Sequence, residues 1–144
     1  MKLLTVKELQ AKIAEAEGAK ASAALKAMHA EEEEKRALLE RLSKPSGLSD
    51  DEVMEKASII INRAVENGQM SVQVFRFPHS ICTDNGRAIN QGEPGWENTL
   101  TGIPKEIYDF WKRQLQPRGY HLRYETIDYP GGMPGDIGIF LGWN

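Results

Sequence analysis

Two runs of strict period-two alternation sit close together near the C-terminus, and any fold must pair them. From Tyr120 to Thr126, Tyr120, Leu122 and Tyr124 alternate with His121, Arg123 and Glu125, the pattern of a half-buried strand. Ile137, Ile139, Leu141 and Trp143 repeat it after the turn-rich segment Tyr129-Pro130-Gly131-Gly132-Met133-Pro134-Gly135-Asp136. The chain upstream must then supply helices to cover this hairpin and a strand to lie beside it.

The upstream segments fit that need. Ser71–Phe77 reads as a third strand, ended or placed at an edge by Pro78, and its apolar phase shifts from Val72 and Val74 to Phe75 and Phe77, which predicts a bulge or two partly covered faces. Ser49 and Glu52 form a capping box, with Leu48 and Val53 as its hydrophobic staple, and Val53, Ala57, Ile60 and Ala64 make one stripe that Asn67-Gly68 stops. Pro104 near a helix start, then Ile103, Ile107, Phe110, Trp111 and Leu115 at helical spacing, predict a second covering helix that Pro117 and Gly119 end. The fold class expected is α+β, a small α/β plait of order α-β-α-β-β. It has a mixed three-stranded sheet, its first two strands parallel by the crossover preference, and both helices on one face.

Thr5–Leu42 is compositionally helical and free of proline, opening with a Thr5/Glu8 capping box; if continuous it spans about 57 Å. Its apolar stripe is strong at Val6, Leu9 and Ile13 and at Leu38, Leu39 and Leu42, while the middle relies on alanine. Residues 1–44 are therefore expected to be a helix, either a self-associating coiled coil or a frayed one, followed by a linker at 45–49 and a compact domain at 50–144.

Charge excludes little and favours nothing strongly basic. The net charge is −3, and residues 68–144 carry seven basic and eight acidic groups, so nucleic acid is an unlikely partner except through a local patch of Arg76, Arg87, Arg118, Arg123 and His121 with Tyr120 and Tyr124. Glu125, Asp128 and Asp136 lie among those residues and favour solvated pairing. No run approaches the roughly 20 apolar residues of a membrane span, the start around Lys2 and Leu3-Leu4 does not read as a signal peptide, and the lone Cys82 suits a reducing compartment. The expected location is cytoplasmic.

The long segment 79–102 is irregular, with a tight turn at Asp84-Asn85-Gly86 across which Ile81–Thr83 and Arg87–Ile89 are expected to form a small hairpin. Segments of this length in compact domains are usually functional or disordered, and Ile89, Trp96 and Leu100 argue against disorder. Cys82 with His79 or His121 is the only pairing of a nucleophile and a base. His79, three residues away in an extended segment, points to the wrong face, and Asp84 disfavours a thiolate. Neither a metal site from His79, Cys82, Asp84 and His121 nor a phosphate loop from Gly131, Gly132 and Gly135 has the required spacing or context, so no cofactor and no metal is expected. Gly138 and Gly142 share a face with Phe140, which predicts either close docking of a helix or a shallow groove.

Cys82-Thr83-Asp84-Asn85-Gly86-Arg87-Ala88-Ile89-Asn90, Gly95-Trp96, Arg118-Gly119-Tyr120 and the Tyr129–Asp136 turn together resemble a small α/β domain of uncharacterised bacterial proteins, a group without a known activity. The resemblance implies a folded module over the second half of the chain and transfers no catalytic residue. The function expected is a non-enzymatic module binding a protein or small ligand through the 79–102 loop and the 129–136 turn, with Arg87, Asn90, Trp96, Met133 and Asp136 as the binding surface. The alternatives are a small enzyme using Cys82 or a loop carboxylate, and a single-stranded nucleic-acid binder.

Overall fold

A computed structural model describes residues 3–144, so the reading of Lys2 lies outside the described residues. The chain falls into two compact units, the first ending at Leu38 and the second Leu39–Asn144. Helix α1 (Val6–Ser43) is continuous and opens with the Thr5/Glu8 box, Glu8 N–H donating to Thr5 Oγ1 at 3.2 Å and Thr5 N–H to Glu8 Oε2 at 3.3 Å. Val6, Leu9 and Ile13 are all exposed on it.

The second unit holds α2 (Asp50–Glu66), β1 (Ser71–Phe77), a short helix α3 (Arg87–Gln91), α4 (Gly102–Phe110), β2 (His121–Thr126) and β3 (Ile137–Gly142). The Ser49/Glu52 capping box starts α2, and Gly68, in the left-handed region at φ +74°, ends it. Helix α4 runs on into a π turn, Trp111–Leu115, and a 3-10 turn, Gln116–Arg118. No helix among the described residues is long and apolar enough to cross a membrane.

The architecture is α+β, and the sheet order is β1-β3-β2. β1 and β2 run in the same direction, as a strand-helix-strand crossover requires, but β3 inserts between them, so both hydrogen-bonded pairs are antiparallel and the sheet is not mixed. The reason is local: the turn after β2 returns β3 on the inner side of β2, giving a split β-α-β arrangement. The phase shift in β1 is a bulge between Gln73 and Phe75.

Register assigns the two faces. Phe77, Ile137 and Thr126 lie opposite one another, as do Phe75, Ile139 and Tyr124, and then Val72, Leu141 and Leu122. This is the core face. Ile61 of α2, Phe110 of α4 and Leu115 close on Leu141, and Phe77, Ile137 and Ile139 have no exposed surface. The buried Tyr124 hydroxyl donates to the Pro104 carbonyl oxygen at 2.6 Å, and its ring meets Phe77 edge-on at 6.1 Å, so the buried hydroxyl of β2 has its partner. On the other face Gly138 accommodates side chains: a β-carbon there would lie 2.8 Å from Ile127 Cγ2 and 2.9 Å from the Phe140 ring. The Phe140 ring folds over its neighbouring glycine and carries the Arg123 guanidinium 4.7 Å above its centre. The space over Gly138 is filled by these side chains, and a groove is absent there.

Candidate functional site

The irregular segment 79–102 is built on Asp84. Its carboxylate accepts from Gly86 N–H at 3.0 Å and from Ala88 N–H at 2.9 Å, with Gly86 in the left-handed region at φ +80°. These bonds wind Arg87–Gln91 into α3, so the small hairpin expected across this turn does not form; an aspartate that satisfies two amides beyond it starts a helical turn and leaves no strand pairing to make. Ala88 and Ile89 are buried, which leaves Arg87 and Asn90 on the outer side.

The 129–136 turn is held by a carboxylate pair. Asp128 Oδ1 accepts from Asp136 N–H at 2.6 Å, and Arg76 on β1 bridges Asp128 Oδ2 at 2.9 Å and Asp136 Oδ2 at 2.7 Å. The Asp136 carboxylate, and then Asp128, hold the Arg76 guanidinium above its ordinary value. Gly135 is required because a β-carbon there would overlap Asp128 Oδ1 and come within 2.7 Å of Pro130 Cδ.

Two contacts join the segments. His79 Nδ1 lies 3.1 Å from the Gly135 carbonyl oxygen, and the Tyr129 hydroxyl donates to Asn90 Oδ1 at 3.1 Å. Between them is a cleft of about 280 Å³, lined by His79, Asn85, Arg87, Asn90, Gln91 and Met133 among others. Arg87, Asn90 and Met133, three of the residues singled out in the sequence, thus come together from positions more than forty residues apart in the chain. Trp96 and Asp136 do not join them. Trp96 packs inward, tilted against Tyr124 at 5.0 Å and edge-on to Tyr108 at 5.8 Å, and Asp136 is engaged by Arg76. Sequence reasoning weighed His79 only as a base or metal ligand and Asn85 only as a turn residue, and it missed Gln91, whose one signal is its place in the same irregular segment.

The cleft's polar groups differ in what they have left to offer. The Asp84 carboxylate is taken up by backbone amides. The Arg87 side chain is 71% exposed and makes only a long ion pair with Glu93, at 4.0 Å, so its guanidinium fork keeps its hydrogen-bond donors. Asn90 spends its carbonyl oxygen on Tyr129 and keeps its amide N–H groups. Met133 is 69% exposed, a flexible apolar contact at the lip.

The chemistry of the rival readings can be placed in the same way. Cys82 is buried, and burial, with Asp84 adding a smaller push, raises its thiol from 9.0 to about 11, away from the thiolate a nucleophile needs. Iodoacetamide should therefore label Cys82 in the native protein negligibly at pH 8 and fully in denaturant, as mass spectrometry would read. The unfolded chain releases this proton near its ordinary value while the folded chain keeps it. Stability should consequently fall as pH rises from about 9 towards 11, by at most about 1.4 kcal/mol per pH unit, and Cys82→Ala should flatten that slope in urea melts. Among the described residues no three of His, Cys, Asp and Glu are placed to hold a metal ion. The arginine and tyrosine patch is also dispersed: Arg76 is paired, Arg123 sits 3.1 Å from Glu125, and Tyr124 is buried. Compared with protein-family models, with curated proteins and with solved structures, the chain matches none.

Proposed function

We propose that Leu39–Asn144 is a non-enzymatic binding module that recognises an acid-bearing segment of a partner protein in the cleft between α3 and the 129–136 turn. The observation that carries this is the convergence of Arg87, Asn90 and Met133 on one cleft, with the guanidinium and amide N–H donors of Arg87 and Asn90 still to be used. Each has a natural counterpart in a peptide. The Arg87 fork suits a carboxylate, the amide groups of Asn90 and Gln91 suit peptide carbonyl oxygens, and Met133 adapts to an apolar side chain beside them. The platform beneath is rigid, since Asp84, His79 and the Arg76–Asp128–Asp136 cluster fix the two segments from below. A site held this way loses little ordering entropy on binding.

The test is selection of a random peptide library on the immobilised full chain, with affinities of the enriched peptides read by calorimetry. Enrichment of Asp or Glu is expected, and Arg87→Ala should weaken the selected peptides about tenfold or more, the loss of a charge-assisted bidentate pair. Met133→Ala should weaken them less. Peptides that bind Arg87→Ala and Met133→Ala as tightly as the parent chain would remove the cleft from consideration.

A further inference from the structure

We propose that a second site, separate from the cleft, lies between α2, α4 and the core face of the sheet, and that it takes an amphipathic carboxylate, its apolar body inside and its carboxylate against Lys56 at the mouth. A half-open cavity of about 360 Å³ occupies this position. Val53, Ala57 and Ile60 of α2 form one wall, and Phe110, Leu122 and Leu141 lie opposite. Protein interiors normally close to crystal-like density, and an engineered apolar cavity of about 150 Å³ suffices for a benzene. This one is over twice that size and falls in the range of small-molecule sites, about 300 to 1,000 Å³.

Two backbone irregularities of the unit, the β1 bulge and the π turn, fall on its wall. The β1 bulge turns Val74 and Phe75 to the same cavity, and the π turn Trp111–Leu115 adds Trp111 and Leu115 to it. A regular strand would send Val74 and Phe75 to opposite faces, so the bulge is what brings both to the cavity. Bulges recur beside active sites, and π turns are rare and recur at functional sites, so their coincidence on one cavity is an observation independent of its size. Val53, Ala57, Ile60, Val74 and Leu122 on its lining are half-buried, and all of them but Ile60 also pack against the core cluster of Ile61, Phe110, Leu115 and Leu141.

Charge at the mouth selects the head group. Asp50 is saturated by Arg113 at 2.9 Å and by Gln114 at 3.1 Å, and Glu106 by the Ser46 N–H at 3.1 Å and hydroxyl at 3.0 Å. Lys56 makes no ion pair among the described residues. Arg113 offsets Asp50, Glu106 keeps its charge but is hydrogen-bonded to Ser46, and Lys56 is the one charged group at the mouth with no partner among the described residues, so it is the group a ligand's head can engage.

Calorimetric titration of the full chain with decanoate, decan-1-ol and decylammonium, each below its aggregation threshold, tests the inference. Decanoate should bind tightest, about tenfold over decylammonium, with a change in tryptophan emission from Trp111 on the wall. Lys56→Gln should lower decanoate affinity about fivefold and leave decan-1-ol nearly unchanged, as expected for one partly screened charge pair. Ala57→Leu, which grows a side chain into the cavity, should abolish binding of decanoate and decan-1-ol, while Arg87→Ala in the cleft should change neither. Absence of binding by all three compounds overturns the site, equal affinity for decanoate and decylammonium overturns the carboxylate class, and unchanged binding by a folded Ala57→Leu overturns the location. If Ala57→Leu does not fold, Lys56→Gln decides, because that side chain is exposed: unchanged decanoate affinity overturns the proposal.

Discussion

Replacing Phe77 with alanine should lower the unfolding free energy by about 3 to 5 kcal/mol, the range for deleting a fully buried aromatic ring, out of a typical total of about 5 to 15. Phe77 has no exposed surface, pairs with Ile137 in the sheet register and meets Tyr124 edge-on. The ring is surrounded on all sides by side chains that are themselves fixed: Ile137 by its central strand, and Tyr124 by its hydrogen bond to Pro104. Collapse into the vacated space is therefore limited, which places the cost in the upper part of the range. Urea denaturation followed by tryptophan fluorescence measures this directly, because Trp96, Trp111 and Trp143 all belong to the second unit and none to α1. A loss below about 1 kcal/mol would mean that the β1 end of the core is not packed as described.

What could be read in the sequence divides along the range of the interactions involved. Helix α2 was legible to the residue at its start because Ser49 and Glu52 are three apart in the chain and need nothing else. The same is true of Thr5 and Glu8 on α1. The three strands were legible from alternation, and the bulge from the phase shift at Val74 and Phe75. Their order was not. Whether β3 lies outside β2 or between β2 and β1 depends on contacts such as Phe77 with Ile137, which no local pattern encodes. Helix α3 was hidden for a different reason. Asp84-Asn85-Gly86 serves equally as a hairpin turn or as a helix start, and the choice rests on whether the carboxylate reaches Ala88 N–H or leaves it to a strand partner.

The candidate sites follow the same division. Arg87, Asn90 and Met133 stood out as polar or oddly apolar residues in turn-rich segments, while Trp96, chosen on the same grounds, belongs to an aromatic cluster with Tyr108 and Tyr124. Asp136, named both for the binding surface and among the acids that could pair with the arginines, takes the second role, with Arg76 sixty residues away as its partner. The apolar cavity could not be seen at all. Val53, Ala57 and Ile60 have the spacing of any core-facing helix, and only the placement of α4 decides that they face an opening.

Gly102→Ala should cost about 2 to 5 kcal/mol, although it adds a single methyl group. Two separate penalties act at this position. Gly102 sits in the left-handed region at φ +57°, which costs an L-residue roughly 1 to 2 kcal/mol. A β-carbon would also overlap the Leu42 carbonyl oxygen and approach Ser43 Cα to 2.8 Å, both backbone atoms that cannot rotate away, and overpacking of this kind costs a further 1 to 3 kcal/mol or so. The two can be separated with Gly92, at φ +65° with nothing within 4 Å of its notional β-carbon, where alanine should cost only the conformational part. The excess at Gly102 then measures how tightly α4 holds the Leu39–Ser43 turn, in which Leu42 is buried. Hydrogen exchange resolves where it is spent. If the turn is displaced, the backbone amides of Leu39–Ser43 should lose protection in Gly102→Ala while those of β3 keep theirs. Equal costs at Gly92 and Gly102 would show that the turn yields freely and that the close approach contributes nothing to stability.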